Sequence, residues 1–289
     1  MPTKVEKDSV TGQSTTGHEW DGVKELNQPL PRWWLYTFYA CIAWAMALFL
    51  LYPSIPGFSG YFHGILGYSQ RKVVDADVQA IAAHRAGSMQ RIKVLSFAEI
   101  RKDPQLLAVA LTAGRITFAN NCQPCHGAGG GGNPGYPALA AGDWMWGGTL
   151  QDIQQTVTHG IRSDDADART SQMPRFGTDG ILKPEQIEQV ADYVMTLFGQ
   201  PEKGVDVAAG RKLFLANCAV CHGEQGQGSR KVGAPRLAAR VHLRVSDRES
   251  VVRQITSPVM GVMPNWNHRL DGATIKSVTL YVHSLGGGE

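Results

Sequence analysis

Cys-x-x-Cys-His occurs twice in this chain, as Cys122-Gln-Pro-Cys125-His126 and Cys218-Ala-Val-Cys221-His222, using four of its five cysteines. This is the attachment pattern for c-type haem: both thiols bond to the vinyl groups, and the imidazole takes one axial position on the iron. The motifs therefore predict two covalently bound haems c. A four-cysteine zinc site is the competing chemistry. Cys125 and Cys218 lie 93 positions apart, whereas the pairs of a compact zinc ribbon are separated by about 15–20 residues. A thioredoxin-like dithiol needs a βαβ setting, and none is found.

A haem that only passes electrons needs its sixth position filled. Methionine thioether is a soft ligand that favours ferrous iron and raises the potential. Met173-Pro174 follows His126 by 47 positions, and Met263-Pro264 follows His222 by 41. The proline stiffens each loop and limits the freedom of the thioether. Met173 and Met263 are the candidate ligands, with Met260 a weaker competitor for Met263. Met145 and Met195 read as core filler. His159 is the alternative in the first segment and would give a lower-potential bis-histidine haem. Spacing leaves open which methionine serves which haem.

The elements that must position these groups repeat. Ala-Gly-Arg (113–115 and 209–211), then Phe118 and Phe214, precede the motifs at equal spacing. Tyr136-Pro-Ala-Leu139 and Ala234-Pro-Arg-Leu237 follow them. Each segment closes on Tyr-Val-x-x-Leu, Tyr193 to Leu197 and Tyr281 to Leu285. Repetition over this length marks a duplicated domain, not a solenoid. Helices are expected over 105–121, 184–198, 207–217 and 272–285; Pro184-Glu185 is a fitting helix start. The glycine run 127–135 lacks the lysine of a phosphate loop and reads as a haem-edge loop.

Residues 33–52, WWLYTFYACIAWAMALFLLY, carry no charge. Twenty helical residues span about 30 Å, the thickness of a bilayer core. Trp33, Trp34, Tyr36 and Tyr52 suit the interfacial belts. The stretch is too long for a signal-peptide core and lacks a small-residue cleavage site, so an uncleaved anchor is expected. Cys41 lies within it as a packing residue. Lys24, Arg32, Arg71 and Lys72 barely discriminate orientation. Haem attachment on the outer face of the membrane, a property of c-type cytochromes in general, sets it instead. The fold class is all-α: one N-terminal transmembrane helix followed by two tandem class I cytochrome c domains. The expected segments are 1–32, cytoplasmic; 33–53, the span; 54–104, a periplasmic linker; 105–200 and 201–289, the two haem domains. Residues 53–102 are expected along the membrane surface or a partner.

The formal charge of +3 hides an asymmetry. Residues 103–200 hold five basic and ten acidic side chains, and residues 201–289 hold twelve and seven. Asp164, Asp165 and Asp167 cluster in the first segment; Arg230, Lys231, Arg236, Arg240, Arg244, Arg248 and Arg253 mark the second. Opposite charges can hold the segments together or steer a charged donor. No nucleic-acid partner is expected.

Several further pieces are more selective than the haem motif. They are Pro29-Leu-Pro-Arg-Trp-Trp34 before the span, Gly64-Ile-Leu-Gly-Tyr-Ser-Gln-Arg71 after it, Asp143-Trp-Met-Trp-Gly-Gly148, and His159-Gly-Ile-Arg162. In these the chain resembles, over nearly its whole length, the dihaem cytochrome c subunits (FixP or CcoP, subunit III) of cbb3-type cytochrome c oxidases. The resemblance implies a bacterial inner-membrane protein, single-pass, with periplasmic haem domains, in a respiratory oxidase of high oxygen affinity. Such a subunit takes electrons from a donor cytochrome and relays them through a monohaem c subunit to the catalytic haem-copper subunit. Oxygen reduction there is coupled to proton translocation. The subunit has no active site of its own beyond electron transfer. The resemblance also implies exchanged methionines, with Met263 on the His126 haem and Met173 on the His222 haem. Two other classes compete: a dihaem carrier serving a periplasmic dehydrogenase, and a haem sensor or peroxidase, which would need an open iron position.

Overall fold

The computed structural model describes residues 4–239 and 242–289, so Arg240 of the basic stretch lies outside the described residues. The chain separates into two compact units, residues 1–82 and 83–289.

In the first unit, β1 (Thr15–Trp20) and β2 (Val23–Leu26) form an antiparallel hairpin that pairs Trp20 with Val23. Asp21-Gly22 closes it, both at positive φ, as a two-residue hairpin turn requires. Helix α1 (Arg32–Leu51) follows Pro31 and buries none of its side chains. Its apolar surface runs all round, as expected of a span in lipid rather than of a surface helix. A second small hairpin pairs β3 (Pro56–Gly57) with β4 (Gly60–Tyr61). Helix α2 (Gln70–Val94) then crosses the boundary between the units.

The second unit is helical: α3 (Phe97–Lys102), α4 (Pro104–Asn121), α5 (Gln123–His126), α6 (Leu150–His159), α7 (Pro184–Leu197), α8 (Ala208–Asn217), α9 (Ala219–His222), α10 (Arg248–Thr256) and α11 (Gly272–Ser284). Local chemistry fixes their starts. Ser96 and Glu99 form a reciprocal capping box at α3. Asp103 accepts from the amides of Gln105 and Leu106 ahead of Pro104. Thr149, Asp247 and Asp271 cap α6, α10 and α11 in the same way.

Packing crosses the boundary between the two sequence repeats. Helix α4 of the first repeat packs on α11 of the second, while α8 of the second packs on α7 of the first. The aromatic pairs show this directly. Phe118 meets Tyr281 at 5.4 Å between ring centroids, and Phe214 meets Tyr193 at 5.2 Å, both tilted near 57°. Phe118 and Phe214 are almost fully buried, and each such burial contributes about 2–3 kcal/mol. The glycines of Ala-Gly-Arg sit at the two crossings. A Cβ on Gly114 would lie 2.2 Å from the Ser277 carbonyl oxygen, and one on Gly210 1.9 Å from that of Gln189. Only glycine allows such close approach.

Two lobes result. The first combines α4–α6 with α11; the second is built from α7–α10. In the first, the indole Nε1 of Trp144 donates to the carbonyl of Gly287, which ties the Asp-Trp-Met-Trp-Gly-Gly piece to the C-terminal tail. Lys276 on α11 donates to the carbonyls of Lys93 and Leu95 at 2.9 and 2.6 Å, capping the end of α2.

Candidate haem sites

Each motif forms one tight helical turn at the end of a longer helix. The amides of Cys125 and His126 donate to the Cys122 carbonyl at 3.1 and 2.9 Å, and those of Cys221 and His222 repeat this on Cys218 with the same distances. The turn sets both thiols and the imidazole on one side, since helical positions i, i+3 and i+4 share a face. Burial, and then the neighbouring thiol, pushes Cys122 and Cys218 up to about 11, so both stay protonated thiols at neutral pH.

The histidines are oriented from behind. His126 Nδ1 lies 3.0 Å from the Pro137 carbonyl oxygen, and His222 Nδ1 lies 3.1 Å from that of Pro235. A carbonyl only accepts, so Nδ1 carries the proton and the Nε2 lone pair is left for a metal. Burial lowers both imidazole pKa values against the opposing pull of these bonds, which favours the neutral form a ligand needs. The repeated proline-containing pieces thus acquire a purpose. The loops behind them match as well: Leu139 donates to Gly130 and Leu237 to Gly226, each at 2.7 Å. Two thiols on one side of a helical turn, able to bond the vinyl groups, beside an imidazole with a free Nε2 for the iron, fit haem c.

Met263 packs against the same apolar cluster as Cys122, around Phe118, Ile153 and Val278. Met173 packs on the cluster that holds Cys218 and Phe214. Each methionine therefore lies with the motif of the other repeat. Met195 is buried in the core, as expected of filler, and Met145 and Met260 are half-buried. His159, the alternative ligand, has its Nδ1 2.9 Å from Asp165 Oδ1.

Two backbone features bring the Met263 loop in. Ile161 and Met263 exchange both amide–carbonyl bonds, at 2.9 and 3.0 Å. Gly160 has φ +77°, and a Cβ there would lie 2.4 Å from the Met263 carbonyl oxygen. Asp165 adds a side-chain link. It receives His159 on one oxygen and the amide groups of Asn267 (2.5 Å) and Asn265 (3.5 Å) on the other. The Asp167 amide, then His159 and Asn267, hold its carboxyl well below the usual carboxylate range. The charge asymmetry also has a contact: Arg248 of the second repeat pairs with Asp192 and Glu188 of the first at 2.5 Å each. The roles of Arg162, Asp165, Pro137 and Pro235 were not read from sequence. The repeated Pro-x-Leu and the His-Gly-Ile-Arg piece were the available signals.

A mostly helical chain with two haem-motif turns, each braced by a proline carbonyl and an exchanged helix, is a cytochrome c protein with two such domains, preceded by one candidate membrane helix. Residues 111–198 match the cytochrome c family, residues 205–282 match cbb3-type cytochrome c oxidase subunit III, and residues 12–59 match the N-terminal domain of cytochrome oxidase-cbb3, FixP. The chain is 47% identical to a cbb3-type oxidase subunit FixP of Bradyrhizobium diazoefficiens, over the full length of both. It is also 49% identical to a subunit CcoP of Azospirillum sp., covering 98% of each chain, and 47% identical to one of Cereibacter sphaeroides over the full length of both. The chain belongs to the FixP/CcoP family of cbb3-type cytochrome c oxidase subunits, and its work is haem-based electron transfer in such an oxidase.

Proposed function

We propose that this chain carries two haems c and relays electrons between them on the way to the catalytic haem-copper subunit. Segment 105–200 supplies Cys122, Cys125 and His126 to one haem, and segment 201–289 supplies Cys218, Cys221 and His222 to the other. Met263 is the sixth ligand of the His126 haem and Met173 that of the His222 haem. The observation that carries this reading is the exchange itself, with Met263 in the Cys122 cluster and Met173 in the Cys218 cluster. Bound here, haem supplies one-electron redox chemistry; the chain's residues hold it, set its ligands and exclude water.

Helix α1 crosses the inner membrane once, with residues 1–32 cytoplasmic and the haem domains periplasmic. Electrons enter from a donor cytochrome and leave through a monohaem c subunit toward the subunit that reduces oxygen and moves protons. The chain itself does no bond chemistry.

The test is mild-detergent isolation of the tagged chain from its own membranes, with a reduced-minus-oxidised spectrum and oxygen uptake. Co-purifying b-type haem with uptake driven by an artificial donor is expected, and the double substitution C122S/C125S should abolish that uptake. A c-type band alone, or with a dehydrogenase, would replace the oxidase relay by a periplasmic carrier. Carbon monoxide should not shift the ferrous spectrum of the isolated chain. A large shift would defeat the six-coordinate assignment.

A further inference from the structure

Arg162 stands just beyond α6, with φ +53°. Among the described residues, Asp21 is the other non-glycine with positive φ. A long side chain held in the left-handed region marks a backbone constrained by its surroundings. Here the constraint aims one guanidinium at two loops. Its Nε donates to the Gly261 carbonyl at 2.7 Å, and its Nη1 donates to the Ser171 carbonyl at 3.1 Å. Gly261 lies two positions before Met263, and Ser171 two positions before Met173.

We propose that Arg162 is a positioning residue shared by both axial-methionine loops, so that one side chain couples the two haem sites. The role of the loops rests on the ligand reading given above; the double attachment of Arg162 does not. Charge pairing does not account for the residue. Among the described residues, no carboxylate lies within ion-pairing distance of Arg162 or of Arg244, the cation near it. Burial and then Arg244 both disfavour the charged form of Arg162. Arg244, from the segment before α10, reaches that loop: its Nη2 would be 3.0 Å from a Cβ on Gly261, and it donates to the Gly135 carbonyl at 3.3 Å. What Arg162 offers is a planar fork of charge-assisted donors, a geometry that a lysine ammonium does not reproduce.

The backbone strengthens the link. The Arg162 amide donates to the Arg169 carbonyl at 2.8 Å, at the start of the segment leading to Met173. The preceding residue, Ile161, holds Met263 through two backbone bonds. Both loops thus converge on positions 161 and 162. A shift of either loop is felt at this arginine and passed to the other.

The test uses the full haem-loaded chain in detergent, with R162G and R162K. Glycine removes both side-chain bonds while suiting the left-handed backbone. Lysine keeps the charge and can hold one carbonyl at a time. Hydrogen exchange is followed over residues 169–173 and 259–263, beside the methionine-to-ferric-iron charge-transfer band and the two reduction potentials. In R162G both stretches should exchange about tenfold faster, the band should weaken at both haems, and both potentials should fall. R162K should loosen at least one stretch. Faster exchange over one stretch alone in R162G, or neither, overturns the shared role. Should R162G fail to accumulate, protection and potentials left unchanged in R162K overturn it equally. M173A and M263A serve as controls, each expected to remove the band of one haem. If both leave the band intact, the ligand reading falls, while the exchange data still decide whether Arg162 joins the loops.

Discussion

The lobe around Cys218 is made from one run of chain, from Met173 to Thr256, whereas the lobe around Cys122 needs two. Helices α4 to α6 and the Met263 loop with α11 are separated in sequence by the whole of the other lobe. Their local geometries nevertheless agree. The aromatic pairs match to 0.2 Å and one degree, and the histidine–proline carbonyl bonds to 0.1 Å. The contiguous lobe simply meets its closing helix, α7, before its motif, and the split lobe meets its own last. A packing unit is therefore defined by which surfaces fit and not by chain order. The entropy of closing a longer loop rises slowly with length, so the split lobe bears a modest equilibrium cost. The larger consequence is kinetic, because its contacts are distant in sequence.

The sharpest way to break this comparison is to delete residues 271–289. If chain order ruled, the haem domain of the second repeat would suffer. Packing predicts the reverse. The deletion removes the buried Ala273, Ile275, Val278, Leu280 and Val282 from the first lobe. The four larger ones, at roughly 1.5–3 kcal/mol each, together amount to about 6–12 kcal/mol, comparable with a typical domain stability of about 5–15 kcal/mol. Limited proteolysis with mass spectrometry should find cuts concentrated over 104–159 while 173–256 resists. Cuts concentrated in the contiguous lobe would refute the exchange.

A smaller effect sharpens the same point. Phe118→Ala and Phe214→Ala should each cost about 3–5 kcal/mol, seen as a lower thermal midpoint. Double-mutant cycles then assign partners. Phe118 with Tyr281 and Phe214 with Tyr193 should couple by about 0.5–1.5 kcal/mol. Phe118 with Tyr193, its counterpart within the same repeat, should be additive. The opposite pattern would restore packing within each repeat.

These experiments turn on what sequence did and did not disclose. The two Cys-x-x-Cys-His motifs stand out because covalent haem attachment demands those residue types at close spacing, and Met173-Pro174 and Met263-Pro264, the ligands proposed above, stand out as thioethers on proline-stiffened loops. The candidate membrane helix stands out because twenty uncharged positions follow one another. Helices over 105–121, 184–198, 207–217 and 272–285 are observed within a residue of those limits. The short α6 and α10 were not expected, and neither was the hairpin at Thr15–Leu26, though its Asp21-Gly22 pair is a strong turn signal. Which helix covers which haem motif was invisible for a physical reason. The two repeats present nearly identical faces, so Tyr193 suits Phe118 as well as Phe214 by residue type alone. Arg162 was hidden likewise, because its partners are backbone carbonyls that any residue could supply.

The smallest effect separates the lobes by pH. Asp165 joins His159 at the end of α6 to Asn265 and Asn267 beyond Met263, a link found, among the described residues, in the split lobe alone. Its carboxyl pKa is depressed in the folded state, first by the Asp167 amide and then by His159 and Asn267. A depressed carboxylate stabilises the fold above its unfolded value, about 3.9, and that contribution is lost as pH falls toward the folded value. The split lobe should therefore lose a few degrees of thermal midpoint as acidity increases below about pH 4. Asp165→Asn cannot ionise, so in that variant the dependence should flatten, from a lower starting midpoint at neutral pH. Proteolysis over 104–159 during the titration assigns the change to its lobe. An acid dependence in Asp165→Asn as steep as in the natural chain would place its source elsewhere, and the side-chain link between α6 and the Met263 loop would then add nothing to the stability of that lobe.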